Sequence, residues 1–79
     1  LSTFQLYPVP TNSDLNMIVR PEAVGSEIRI TTLDGRLLDR MRVDRPTQQI
    51  DVGRYVDGMY TLTVQTSAGK STQRFVIQH

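Results

Sequence analysis

The feature that most constrains this sequence is an alternation of apolar residues with a period of two, which recurs along most of its length. Leu15, Met17 and Val19 follow this spacing, and Leu62 and Val64 follow it near the other end of the chain. Successive side chains of a β-strand point to opposite faces of a sheet, so this period predicts strands with one buried face. Because no segment has the 3.6-residue apolar period of an amphipathic helix, the sequence predicts an all-β fold.

Turn-forming residues divide the chain into seven such segments. Asp34-Gly35 is a strong hairpin signal, and the Ser-Ala-Gly-Lys sequence at residues 67–70 is a second. Strands are predicted near residues 3–7, 14–19, 26–32, 36–43, 48–52, 59–66 and 70–77. Turn signals recur about every 8–12 residues, which is typical of a β-sandwich. A short helical turn is predicted near residues 52–55.

The composition limits the size of the fold and the metals it can hold. The chain has 79 residues, no cysteine and one histidine, His79, so it forms one domain at most and offers neither a disulfide nor the usual Cys/His zinc site. Calcium needs only oxygen ligands, which Asn12, Asp14, Asp34 and Asp57 carry. These residues lack the spacing of a calcium loop, and turn chemistry explains each of them. We therefore predict no metal and no cofactor.

Residues suited to catalysis are sparse. A catalytic nucleophile needs a positioned base, and the serines have no base at a recognisable spacing. Asp51 and Asp57 are a carboxylate pair suited in principle to acid–base work, but each also fits a turn or a strand edge. We therefore predict that the chain is not an enzyme and has no catalytic residue.

The charge pattern excludes one class of partner and leaves another open. Nine basic and eight acidic residues give a net charge of +1, which argues against a nucleic-acid-binding surface. The arginines Arg36, Arg40, Arg42 and Arg45 are interleaved with aspartates, and on a strand Arg40 and Arg42 would point to the same face as Leu38. This cluster is either a patch that binds carboxylate or phosphate groups, or an edge strand whose charges prevent aggregation. The second interpretation is favoured.

The residues just before the sixth strand have a structural interpretation. Gly58 supplies a turn and Tyr60 stands at the start of the strand, as in a tyrosine corner. In that arrangement the phenol hydroxyl donates to backbone upstream and fixes the crossover between two sheets. Gly58 and Tyr60 are therefore predicted to determine the fold rather than to contact a ligand.

Four motifs carry a family resemblance. They lie at residues 6–10, where the chain reads Leu-Tyr-Pro-Val-Pro, at 28–38, at 50–64 and at 69–77. In this order and spacing they resemble the type A C-terminal sorting domains of the type IX (Por) secretion system of Bacteroidetes, over nearly the whole chain. Val9 replaces the usual asparagine of the first motif, and Gln78-His79 replaces the usual basic ending.

The resemblance implies a fold and a role. The expected fold is a seven-stranded immunoglobulin-like β-sandwich, and residues 1–79 would be a single C-terminal domain of a longer exported protein. The attached N-terminal cargo would be carried to the periplasm, and the outer-membrane translocon would recognise the domain and export the cargo. In many cargos a cell-surface sortase then removes the domain and attaches the cargo to anionic lipopolysaccharide. The protein is thus expected in the periplasm in transit, and then at the cell surface or secreted.

Two sets of site residues follow from the resemblance and the strand pattern. Contact with the partner is expected at Gly69, Lys70, Arg74, Phe75, Val76 and Ile77. Fold-determining motif positions are expected at Tyr7, Pro8, Pro10, Asp34, Gly35, Arg36, Gly58 and Tyr60. The last strand is expected to be engaged at its edge, with Phe75 and Ile77 facing one side and Arg74, Val76 and Gln78 the other. An exposed terminal strand also allows a dimer.

Three alternatives to a cleaved export signal stay open. The chain would then be a generic immunoglobulin-like adhesion or carbohydrate-binding module, a structural cap, or a sorting domain that is retained and sensed by an envelope partner. An export signal should fail when it is moved to an internal position, whereas an adhesion module should not.

Overall fold

Seven β-strands form the fold in a computed structural model that describes residues 4–79. They are β1 (Phe4–Tyr7), β2 (Asp14–Val19), β3 (Glu27–Thr32), β4 (Leu37–Arg42), β5 (Thr47–Asp51), β6 (Gly58–Thr66) and β7 (Gly69–Ile77). Every predicted strand is present, and its ends agree with the prediction to within one residue. The predicted start of the first strand, at residue 3, lies outside the described residues.

The strands form two antiparallel sheets. One has three strands in the order β1-β2-β5, and the other has four in the order β4-β3-β6-β7. This arrangement is compatible with the predicted seven-stranded sandwich, because buried side chains from both sheets belong to one cluster. Leu15 and Met17 reach this core from the first sheet, and Ile28, Leu62 and Phe75 reach it from the second. The period of two in the sequence is therefore the alternation between the core and the outer face of each sheet.

The two predicted hairpins join neighbouring strands of the four-stranded sheet. Between β3 and β4, Gly35 N–H donates to Thr32 O over 3.0 Å and Thr32 N–H donates to Arg36 O over 2.9 Å. Gly35 has a φ of +93°, a left-handed conformation in which a residue with a Cβ is strained. Between β6 and β7 the loop has two residues, because Thr66 pairs directly with Gly69.

The prediction of a helical turn at residues 52–55 is wrong. Tyr55 N–H donates to Val52 O over 3.1 Å, which closes a turn and not a helix. Within residues 4–79 the one helical segment is a 3₁₀ turn at Pro21–Ala23. Pro21 suits its first position, where the missing N–H costs no hydrogen bond. None of the helical structure in residues 4–79 is long and apolar enough to cross a membrane.

The predicted grouping of Leu38 with Arg40 and Arg42 is also wrong. The register between β3 and β4 shifts at one point, since Ile30 pairs with Asp39 but Thr31 pairs with Leu37. Leu38 is the extra residue, and it packs against the core while Arg40 and Arg42 stay exposed. A β-bulge inserts one residue and so breaks the alternation that the prediction assumed.

Candidate recognition surface

Strand β7, where partner contact was predicted, lies at one edge of the four-stranded sheet. It pairs with β6 along its whole length, from Gly69 opposite Thr66 to Ile77 opposite Gly58. On its other side, Thr11 N–H donates to Val76 O over 2.9 Å and Gln78 N–H donates to Thr11 O over 2.8 Å. Thr11 therefore covers the last part of the outer edge.

The remainder of this edge faces away from the sheet. Backbone groups of alternate residues in a paired strand point to opposite sides, and those of Val76 and Gln78 point outward. The pairing of β6 with β7 has no register shift, so the backbone groups of Lys70, Thr72 and Arg74 point outward as well. Within residues 4–79 no strand pairs with this edge between Lys70 and Arg74. It offers unpaired donors and acceptors to another strand.

The six predicted contact residues divide into two groups by their exposure. Gly69, Lys70 and Arg74 are exposed and Val76 is half-buried, whereas Phe75 and Ile77 are buried to 0% and 1% exposure. The predicted alternation along β7 is thus present, but the side of Phe75 and Ile77 is the core. A partner that binds the folded domain has no access to these two side chains. Removing them would remove part of the core.

Tyr60 makes the hydrogen bond that the sequence predicted. Its hydroxyl donates to Val56 O over 2.5 Å. Val56 lies in the segment that leads from β5 in one sheet to β6 in the other. The Tyr60 ring stacks on Phe75 and lies beside Tyr55, with centroids 5.8 Å apart in both pairs. The contact therefore connects the crossover segment to the core through aromatic packing.

Three of the predicted motif residues line one groove. Arg36, Gly58 and Tyr60 border a depression of about 390 Å³ between the β3–β4 turn and the segment before β6. Beside it, Arg54 forms an ion pair with Asp39 over 2.6 Å and lies 5.1 Å from the Tyr55 ring centroid. Burial raises the pKa of the Tyr55 hydroxyl above its ordinary value of 10.0, and the Asp39 carboxylate raises this pKa further.

The other motif residues lie apart from this groove. Tyr7 ends β1, and both Pro8 and Pro10 follow cis peptide bonds in the exposed segment that leads to Thr11. Asp34 lies in the turn before Gly35 and accepts a hydrogen bond from the Thr32 hydroxyl, which lowers the pKa of its carboxyl below 3.8. Each of these residues thus shapes a turn or a strand end.

Sequence reasoning missed one contact, made by His79. Its backbone N–H donates to Asp57 Oδ1 over 3.1 Å, its Nδ1 contacts the same carboxylate oxygen, and its Nε2 lies 3.2 Å from Gly53 O. The hydrogen bond with Asp57 raises the pKa of His79 above 6.5 and lowers that of Asp57 below 3.8. The two residues are 22 positions apart, so no local sequence signal announces the contact.

The residues considered for catalysis and metal binding do not form a site. Asp51 accepts from the Gly53 N–H over 2.9 Å and Asp57 contacts His79, so each carboxylate has its own partner. Among residues 4–79, no group of three or more histidine or acidic side chains is arranged to hold a metal ion. The surface described above carries hydrogen-bonding and charged groups, which suit the binding of a partner.

Comparison with known proteins identifies the family. The sequence profile described as the secretion system C-terminal sorting domain matches residues 5–78, nearly the whole chain. No curated protein and no solved structure matches the chain. The match covers all four motifs and, apart from Phe4 at the start of β1, all seven strands. The chain belongs to the family of C-terminal sorting domains of the type IX secretion system.

Proposed function

We propose that this domain is the export signal of a longer protein, and that the type IX translocon recognises it while it is folded. The family match over residues 5–78 is the observation that carries the proposal. An N-terminal cargo crosses the periplasm with the domain attached, and the domain then directs this cargo through the outer membrane to the cell surface or the medium. The domain takes no part in catalysis. We assign it the immunoglobulin-like sandwich that the family resemblance implies.

The open edge of β7 is the part of the domain that the translocon engages. This proposal is supported by the outward-pointing backbone groups of Lys70, Thr72 and Arg74, with which no strand within residues 4–79 pairs. A partner strand that pairs there gains main-chain hydrogen bonds, while the exposed side chains of β7 contribute specificity. Phe75 and Ile77 support recognition indirectly, because they anchor β7 to the core. A second copy of the domain is an alternative occupant of the same edge.

A proline substitution at Thr72 tests this edge. Thr72→Pro removes an outward N–H donor and leaves the hydrogen bonds to β6 in place, since proline is tolerated where a strand edge faces solvent. The substitution also removes the Thr72 hydroxyl, which lies 3.0 Å from the Thr63 hydroxyl. Thr72→Val is the matched control, because it removes the same hydroxyl and keeps the N–H. Each variant is fused to a reporter cargo and expressed in a bacterium with a type IX system.

Surface display of the reporter, measured by protease accessibility on intact cells, gives the result. We expect Thr72→Pro to abolish display and Thr72→Val to retain it, with both domains folded by circular dichroism. Full display of a folded Thr72→Pro variant would refute recognition through the β7 edge. It would leave the export function itself intact, whereas a wild-type domain that fails to export the reporter would refute that function.

Two further experiments separate the export signal from its alternatives. A cell-surface sortase removes the domain and joins the cargo to anionic lipopolysaccharide in our proposal, so the mature surface protein should lack residues 1–79 by mass spectrometry. A retained domain would indicate the regulatory alternative. Moving the domain to an internal position should abolish export, whereas an adhesion module would keep its activity there.

A further inference from the structure

The outer face of the four-stranded sheet collects most of the positive charge of the chain. The residues that point away from the core there include the basic side chains Arg29, Arg40, Arg42, Lys70 and Arg74, and the acidic side chain Glu27. Residues that pair across the four strands form rows. The first row contains Arg42, Glu27 and Lys70, the adjacent row contains Arg40 and Arg29, and Arg74 ends the third row. The cross-strand register sets these rows: Arg40 stands opposite Arg29, and Glu27 stands between Arg42 and Gln65.

The net charge of +1 does not reveal that basic residues are concentrated on this face. The outer face carries five basic residues and one acidic residue, a formal charge of +4. Four basic and seven acidic residues remain elsewhere, so the remainder of the chain has a formal charge of −3. The domain is therefore electrically polarised.

The outer face of the other sheet has the opposite character. Its outward residues on β2 and β5 include Asp14 and Asp51, which stand opposite each other, and no basic residue of the described chain lies within β1, β2 or β5. The outer face of the four-stranded sheet is thus positively charged, whereas the outer face of the three-stranded sheet carries acidic and no basic residues on its strands. A partner with negative charge is attracted to the four-stranded sheet and not to the three-stranded sheet.

Most of the cationic groups on this face are available to a partner. Glu27 contacts Arg29 over 2.6 Å and Arg40 over 3.5 Å, while the Arg29 and Arg40 side chains keep 50% and 61% of their exposure. Neither Lys70 nor Arg74 belongs to an ion pair within residues 4–79. Exposed ion pairs are weak, so an incoming carboxylate can compete with Glu27 for its arginines.

The centre of the face is flat, because it is formed by the short side chains of threonines. The Thr31 and Thr61 hydroxyls hydrogen-bond across β3 and β6, and the Thr63 and Thr72 hydroxyls do so across β6 and β7 over 3.0 Å. These threonines leave the longer basic side chains standing above them. Exposed Met59 lies beyond the threonines at one end of the face.

We infer that the outer face of the sheet β4-β3-β6-β7 binds an acidic protein surface. Arginine supplies four of its five cations, and a guanidinium matches a carboxylate with two parallel hydrogen bonds. Arginine beside an exposed methionine is also typical of protein interfaces. The aromatic side chains that stack on the bases of single-stranded nucleic acids, or that anchor proteins in membrane interfaces, are absent from β4, β3 and the outward positions of β6 and β7. This surface shares the side chains of Lys70 and Arg74 with the β7 edge and extends from there across the sheet to β4.

Binding to an acidic polypeptide tests the inference directly. The 79-residue chain is titrated with fluorescent poly-L-glutamate in about 50 mM NaCl, where screening is weak. The double variant Arg40→Glu/Arg74→Glu reverses two charges at opposite edges of the face. The control Arg20→Glu/Arg45→Glu makes the same change in net charge at residues outside the four-stranded sheet. Circular dichroism confirms that each variant is folded, and Arg40→Gln/Arg74→Gln with the control Arg20→Gln/Arg45→Gln replaces the pair if one of them is not.

We expect the variant on the face to weaken poly-L-glutamate binding by at least about tenfold and the control to weaken it by less than about threefold. Equal weakening by the two variants would overturn the inference, because net charge and not the face would then govern binding. Separate titrations use a double-stranded oligonucleotide and phosphatidylglycerol vesicles. Tighter binding to either than to poly-L-glutamate would overturn the assignment to an acidic protein. None of these measurements depends on export.

Discussion

Removal of the Tyr60 hydroxyl tests the structural role of the tyrosine corner. Tyr60→Phe keeps the ring, its stacking on Phe75 and its burial, and it deletes only the donor of the bond to Val56 O. A hydrogen bond of this kind contributes about 0.5–1.5 kcal/mol net. Val56 is 77% exposed, which places this residue at the surface where water can reach its carbonyl after the change. We therefore expect a loss of about 1 kcal/mol in the free energy of unfolding.

Urea and thermal unfolding of the 79-residue chain measure this loss. A loss of about 1 kcal/mol lowers the melting temperature of a domain of this size by about 4–8 °C. Tyr55→Phe is the matched control, because its hydroxyl makes two long contacts, 3.4 Å to Asp39 Oδ2 and 3.3 Å from Arg54 Nη2, and is expected to contribute less. The argument fails if Tyr60→Phe leaves the melting temperature unchanged, or if the two variants lose the same stability.

Three further predictions concern the β3–β4 turn, the His79 contact and the core. Gly35→Ala should cost about 1–2 kcal/mol in urea unfolding, because φ is +93° there although nothing lies within 4 Å of the added Cβ. An NMR titration should find the His79 pKa above 6.5, and this pKa should fall after Asp57→Asn. The stability from this pair is complete between pH 3.8 and 6.5, and it declines as pH falls through the lowered pKa of Asp57 or rises through the raised pKa of His79. Phe75→Ala should cost about 3–5 kcal/mol, seen as a lower urea midpoint; a loss below about 1 kcal/mol would contradict the core position.

The burial of Phe75 changes how variants of the last strand are interpreted. Because Phe75 and Ile77 belong to the core, a deletion of residues 75–79 would unfold the domain as well as remove a contact surface. A loss of export after that deletion would not separate recognition from folding. Substitutions at Thr72, whose side chain lies on the outer face, separate the two because they leave the core unchanged.

The strands and turns could be predicted because their signals are local. The alternation of Leu15, Met17 and Val19 reports a half-buried strand, and Gly35 reports a turn that requires a left-handed residue. Even the Tyr60 bond is local, since its acceptor lies four residues upstream. The bulge at Leu38 was missed because the register of two strands, and not either strand alone, creates it.

The sequence by itself determined the all-β class, the seven strands and the family, because these depend on residue order and period. The sequence alone could not decide which face each side chain occupies relative to the other strands. Phe75 and Arg74 are neighbours in the chain, yet packing sends one to the core and the other to the cationic face. The net charge of +1 gave no sign of a strongly basic face, whereas the pairing of four strands gathers five basic side chains on one face. Charge adds along a sequence regardless of position, but a binding partner meets only the charges that the tertiary structure places together.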